Sequence, residues 1–165
     1  MQMETDFAPA ERANQNSILH DNSLIVSAPF IKEILNASNS LIAIVNEHRQ
    51  ILFANHAFLD TLGTYNVESI LGQRPGEAVG CLNSDKHEGG CGTSENCFYC
   101  GAVNAILDSQ KSREKAIYET RIAAEIKGEK HHFDLKVVAS PLQINGMHYT
   151  MLNLEDISHQ KRKRV

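Results

Sequence analysis

The sequence predicts an α+β fold: one five-stranded antiparallel sheet, short helices on one of its faces, and helical extensions at both ends. Three observations predict it. Two short apolar runs, Leu41–Val45 and Gln50–Ala54, are separated by the polar turn Asn46-Glu-His-Arg49, which is hairpin spacing. Three further strand candidates fill the last third of the chain, the final two joined by Asn145-Gly146, a strong two-residue turn signal. Between these groups lie only helical and glycine-rich segments, so they form a connection that covers one sheet face and shapes a pocket there.

The elements follow in order. Residues 1–27 are polar, with Pro9 placed to start a short helix in Ala8-Pro-Ala-Glu-Arg-Ala. A second helix is expected over Ser27–Ser38, capped by Ser27, with Phe30, Ile31, Ile34 and Leu35 as its apolar stripe. After the first hairpin, Asn55–Gly63 reads as a short helix stopped by Gly63, and another helical turn is expected at Val67–Leu71. Residues 75–101 hold too much Gly, Asn and Ser to be regular throughout. They lead into a helix from Cys97 to about Ser109, with Phe98, Ala102, Ala105 and Ile106 on its apolar face.

Ala116–Ile126 then reads as a long strand, turned by Lys127-Gly-Glu129. His132–Val138 alternates strictly and puts Phe133, Leu135 and Val137 on one face; Met147–Leu154 is the fifth strand. Phe53, Phe58, Leu62, Leu71, Ile106, Phe133 and Val137 are the expected core. His132 is expected on the exposed side of its strand, and neither it, His131 nor His56 is assigned to a metal. His87 and Glu88 read as solvated loop residues.

Composition narrows the function. At 165 residues, 42% hydrophobic and 22% charged, the chain is one globular domain with a sizeable core. A net charge of -4 gives no basic footprint for nucleic acid. No apolar run approaches the roughly 18 residues of a membrane span. The polar, acidic start Met-Gln-Met-Glu-Thr-Asp is no signal peptide, so a cytoplasmic protein is expected. No Gly-x-Ser-x-Gly, phosphate loop or His-Glu-x-x-His is present, and the domain is read as non-enzymatic on its own.

The chemistry concentrates in one place. Cys81, Cys91, Cys97 and Cys100, the only cysteines, fall within a single Gly-rich stretch with nine, five and two residues between them. In a cytoplasmic chain such thiols bind metal or do redox work. Only one Cys-x-x-Cys pair exists, where structural zinc usually draws on two. The C-x5-C-x2-C core sits near the C-x4-C-x2-C spacing of plant-type ferredoxins, and the surrounding glycines let backbone N–H groups approach cluster sulfurs. The spacing therefore leans towards an iron–sulfur cluster; a dimerisation or small-ligand-binding module with a structural zinc site, and a thiol–disulfide switch, are the alternatives. A thiol oxidoreductase using Cys97 and Cys100 is the enzyme-class reading.

Taken in sequence, Ile42-Ala-Ile-Val-Asn-Glu, Ile51-Leu-Phe-Ala-Asn-His-Ala-Phe, Leu62-Gly, Ile70-Leu-Gly and the closing Glu155-Asp-Ile-Ser resemble a PAS domain, the sensor module of many bacterial histidine kinases and cyclases. Arg74-Pro-Gly-Glu-Ala-Val-Gly-Cys81 and Gly90-Cys-Gly-Thr-Ser-Glu-Asn-Cys-Phe-Tyr-Cys100 resemble a cysteine-containing subgroup found upstream of histidine kinase cores. The resemblance implies a PAS fold over residues 28–158, an N-terminal helical extension over 1–27, and the start of a signalling helix at 159–165. It implies a homodimer feeding an output domain such as a kinase in the same chain, of which this sequence is a piece.

Leu154, Asp156 and Ile157 are the expected transmission path, with Leu152 behind them. The flavin-binding Asn-Cys-Arg-Phe-Leu-Gln motif shares only two residues with Asn96-Cys97-Phe98-Tyr99, and the helix after the loop has no histidine for haem. Neither flavin nor haem is expected, nor nucleic acid or a membrane as partner. The Lys161-Arg-Lys-Arg164 run reads as a solvated helix face.

Overall fold

The computed structural model describes residues 2–163. Five antiparallel strands form one sheet: β1 (Leu41–Val45), β2 (Ile51–Ala54), β3 (Ala116–Ile126), β4 (Glu129–Ile144) and β5 (Met147–Asp156), in the order β2-β1-β5-β4-β3. The early hairpin therefore docks against the last strand. β1 pairs along its length with β5, Leu41 opposite Leu154 and Ala43 opposite Leu152. Asn145 and Gly146 both take positive φ, 50° and 79°, the left-handed turn that their side chains favour.

Among the described residues six α-helices accompany the sheet: α1 (Gln15–Ser27), α2 (Ile31–Asn36), α3 (His56–Leu62), α4 (Pro75–Val79), α5 (Gly101–Ser112) and α6 (Ser158–Lys163). The sheet alternates, so two cores result. On one face Ala43, Val45, Leu135, Val137, Leu152 and Leu154 meet Phe58 and Ile106 from α3 and α5. On the other, Ile42, Ile44, Leu52 and Phe53 meet Ile18 and Ile25 of α1. Burying each such side chain contributes roughly 1.5–3 kcal/mol. Phe53 and Leu71, expected in one core with Phe58, belong to this second one: Phe53 packs there beside its neighbour Leu52, so β2 does not alternate strictly, and Leu71 joins from the turn after Val67–Ser69.

Several expected boundaries move. Ala8–Ala13 is not helical: Ala8 N–H donates to Gly92 C=O at 3.0 Å, and the carbonyls of Pro9 and Glu11 accept from buried arginines, so the segment runs extended. The first helix starts instead after Asn14, whose Oδ1 accepts from Ser17 N–H at 2.9 Å. Ser27 ends that helix rather than capping the next. Pro29 stops helical propagation, and Phe30 turns the chain with φ 65°.

Within the short α2 only Leu35 is buried; Phe30 and Ile34 are 73% and 66% exposed. The helix expected from Cys97 begins at Gly101, because Glu95–Tyr99 winds as a tighter 3-10 turn that leaves Phe98 outside. β4 extends beyond His132–Val138 at both ends, drawn out by its long neighbours. Arg164 and Val165, part of the expected signalling segment, lie outside the described residues. Among those described, no helix is long and apolar enough to cross a membrane.

Asn55 ties the first core together. It is fully buried, caps α3 through Phe58 N–H, accepts from Ile42 N–H at 3.0 Å and donates to the carbonyls of Leu35 and Ser40. Asn55→Ala leaves these groups without partners and should lower unfolding free energy by about 2–3 kcal/mol, read from urea denaturation.

Candidate functional site

Three local constraints bring the four thiols to one place. Residues after α4 run beside the edge strand β3: Cys81 bridges Ala124, Leu82 N–H donates to Ala123 C=O, and Glu125 N–H donates to Gly80 C=O. Gly80 makes the bend with φ 74°, and a Cβ there would stand 2.2 Å from Glu125 C=O. Cys91 packs on the first turn of α4, so close that a Cβ on Gly76 would lie 2.6 Å from its Sγ. Cys100 caps α5 from outside, and Gly101 N–H donates to Thr120 Oγ1 on β3.

The result is a cavity of about 70 Å³ between α4, α5 and the sheet. Cys81, Cys91, Cys97 and Cys100 all line it, with Arg49 at one side and an apolar floor that includes Leu152 and Leu154. All four thiols are free. Among the described residues, no three Cys, His, Asp or Glu side chains are already disposed to hold a single metal ion. Burial, then the charge of Cys100, pushes the Cys91 thiol up to about 12. Burial likewise raises Cys81. These two are protonated at neutral pH unless something cationic replaces the proton.

The electrostatic frame was invisible as a site in the sequence. Arg74 is fully buried and donates to five carbonyls: His48, Gly89, Cys91, Pro9 and Glu11. Arg49, 3% exposed, donates from Nη2 to Pro9 and Cys91 C=O, while its buried Nε has no partner. Glu77 binds Arg12 with both oxygens and also accepts from the N–H groups of Arg74 and Cys91. Arg74 and Glu77 stand in the Arg-Pro-Gly-Glu run that carried the family resemblance. Nothing in the sequence pointed to Arg12 or Arg49.

The N-terminal segment lies across the cysteines as a strap. Asp6 and Ala8 N–H donate to the carbonyls of Thr93 and Gly92. Phe7 meets Phe98 edge-on at 5.4 Å, and Ala8 packs with Cys97 and Val103. His87 belongs to the loop's own structure, its Nδ1 accepting from Gly89 N–H; His56 and His132 are exposed.

At the other end of the floor, Leu154 is buried while Asp156 is exposed and caps the turn into α6 through Ser158 N–H. Ile157 is buried and its N–H donates to Asp134 C=O.

With this architecture in view, comparison with known proteins is direct. The family model described as PAS domain matches residues 30–96. The chain has a PAS fold. A PAS domain from a two-component sensor histidine kinase superposes with a TM-score of 0.51 at 10% identity, covering 79% of this chain and 96% of that one. The PAS domain of nitrogen regulation protein NR(II) from Vibrio parahaemolyticus gives 0.50 at 15% identity, with 79% and 99% covered. A PAS domain from Colwellia psychrerythraea gives 0.53 at 15% identity, with 77% and 93% covered. At these identities the likeness is one of fold. No curated protein matches the chain significantly in sequence.

Glu77 gives the site a measurable acid limit. Burial alone would raise its carboxyl, yet hydrogen bonds from Arg12, Arg74 and Cys91 hold it below the ordinary carboxylate value. A carboxyl depressed by folding stabilises above its unfolded pKa, and that contribution is lost as pH falls through the folded value. Glu77→Gln should therefore destabilise the protein at pH 7. Its denaturation midpoint should converge with the parent's once both are measured below the carboxylate range.

Proposed function

We propose that this PAS domain is a sensory input module that reads redox state or oxygen through an iron–sulfur cluster held by Cys81, Cys91, Cys97 and Cys100. The observation that carries this reading is that every cysteine in the chain, supplied from three segments of one connection, lines the same cavity. Its volume, about 70 Å³, is far below the roughly 300–1,000 Å³ of pockets that take drug-sized ligands, and suits a small inorganic centre. The raised Cys81 and Cys91 thiols argue against these two as the reactive pair of a dithiol switch, which depends on lowered thiol pKa values. The nine-, five- and two-residue spacing, with a single Cys-x-x-Cys pair, favours a multi-iron core over structural zinc, which usually draws on two such pairs.

Such a cluster supplies a redox couple and an oxygen-labile centre. The chain's own residues do the rest. Cys81 moves with the edge of β3, Cys100 with the start of α5, and Leu152 and Leu154 lie directly beneath. A rearrangement at the cysteines thus reaches β5 and, through Asp156 and Ile157, the start of α6. A kinase as the output and a homodimer as the working unit follow from the sequence resemblance to PAS sensors, and the cytoplasm as its place from the sequence reading; the fold relatives include a PAS domain from a two-component sensor histidine kinase. On this reading the domain is a metal-responsive sensor and does no catalysis of its own.

Anaerobic purification followed by iron, zinc and sulfide analysis tests the assignment. Iron with matching sulfide, a broad absorbance near 400 nm that bleaches in air, and loss of that band on replacing any one cysteine by serine are expected. Stoichiometric zinc without colour would make the loop a structural clip. Neither metal, with reversible oxidation confined to Cys97 and Cys100, would establish the thiol switch instead.

A further inference from the structure

We propose that the buried guanidiniums of Arg49 and Arg74 are the counter-charge of a dianionic four-thiolate centre, and that they make closure of the N-terminal strap depend on its presence. The inference rests on the four cysteines acting as one ligand set, but not on which metal they hold.

The charges in the site do not balance without such a centre. Arg12, Arg49, Arg74 and Glu77 act on one another beside the cysteines. Three cations face one carboxylate, and Arg12 already occupies both oxygens of that carboxylate. The Arg74 guanidinium hydrogen-bonds to carbonyls alone, with Glu77 as the one carboxylate acting on it from nearby, and Arg49 has two carbonyls and a bare Nε. Burying a guanidinium without an anion costs several kcal/mol even after relaxation. Four neutral thiols do nothing to offset it. Four thiolates around a divalent ion, or around a cluster core of the same charge, carry a net charge of minus two, matching the excess.

Arg49 lines the cavity itself, and its unpartnered Nε is a buried donor there, suited to a thiolate sulfur. The same two arginines hold the strap. Pro9 C=O accepts from both, and Glu11 C=O accepts from Arg74. Cys91 C=O also accepts from both, so ligand loop and strap share their donors. Removing the centre leaves two uncompensated cations that gain most by reaching water, and the strap is the layer between them and solvent. Occupancy and strap closure are then two faces of one equilibrium.

Hydrogen exchange on the full chain tests this, in the reduced, metal-free protein and after loading with zinc or with ferric and ferrous iron together with sulfide. Protection of the Asp6 and Ala8 amides should rise at least about tenfold on loading, as coupling of ordinary strength requires. Arg49→Met should weaken zinc binding about tenfold and remove the loading-dependent protection, while Arg49→Lys, which keeps the charge, should restore most of both. The wild-type exchange comparison needs no variant to fold.

Loading by either metal with unchanged strap protection would overturn the proposal and leave the sensor reading standing. Zinc-dependent closure without any iron–sulfur cluster would do the reverse. Failure of both metals to bind would remove both.

Discussion

The fixed fork of one buried guanidinium holds the site together. Arg74 sends its N–H groups to carbonyls in the β1–β2 turn, the cysteine loop and the N-terminal strap, three segments with no regular structure in common. Only arginine presents five donors in a planar array. A lysine would meet at most a few of these acceptors and leave the others buried and unpaired, at about 1–3 kcal/mol each. A glycine-rich loop that would otherwise be mobile is in this way fixed against α4.

From that anchor the cysteine positions follow. Pro75 opens α4 directly after Arg74, and Glu77 returns to cap it while gripping Arg12 and the Cys91 amide. Gly76 leaves room for the Cys91 sulfur, and Gly80 turns the chain so that Cys81 joins β3. The loop is thus irregular but heavily determined. A PAS fold contributes the sheet and the cavity beneath α5, and this chain's own arginines and cysteines give that cavity its chemistry.

Much of the fold was legible because its signals are local. The apolar run Leu41–Val45 and the strand candidate Ala116–Ile126 match the observed limits of β1 and β3, Asn55 and Gly63 bounded α3, and Asn145-Gly146 marked the last hairpin. What escaped was set by tertiary contact. Helix α1 buries only Ile18 and Ile25, two turns apart, too sparse a stripe to read from the sequence. Pro9 looked like a helix start, but its neighbours' hydrogen bonds go to the cysteine loop. Phe53 and Leu71 shared an apolar character with Phe58 while facing the other way. The clustering of the cysteines along the chain pointed to the site. Its electrostatics did not, because Arg12, Arg49 and Arg74 come from three distant positions and only the fold unites them.

Native mass spectrometry of the anaerobically isolated protein tests the central claim, that the four cysteines hold one inorganic centre, most directly. The account predicts a folded species heavier than the unfolded chain by an iron–sulfide core, less the protons displaced from the thiols, with the excess absent when Cys81 or Cys91 is replaced by serine. A folded mass equal to that of the bare chain, or an excess that depends on Cys97 and Cys100 alone, would contradict it.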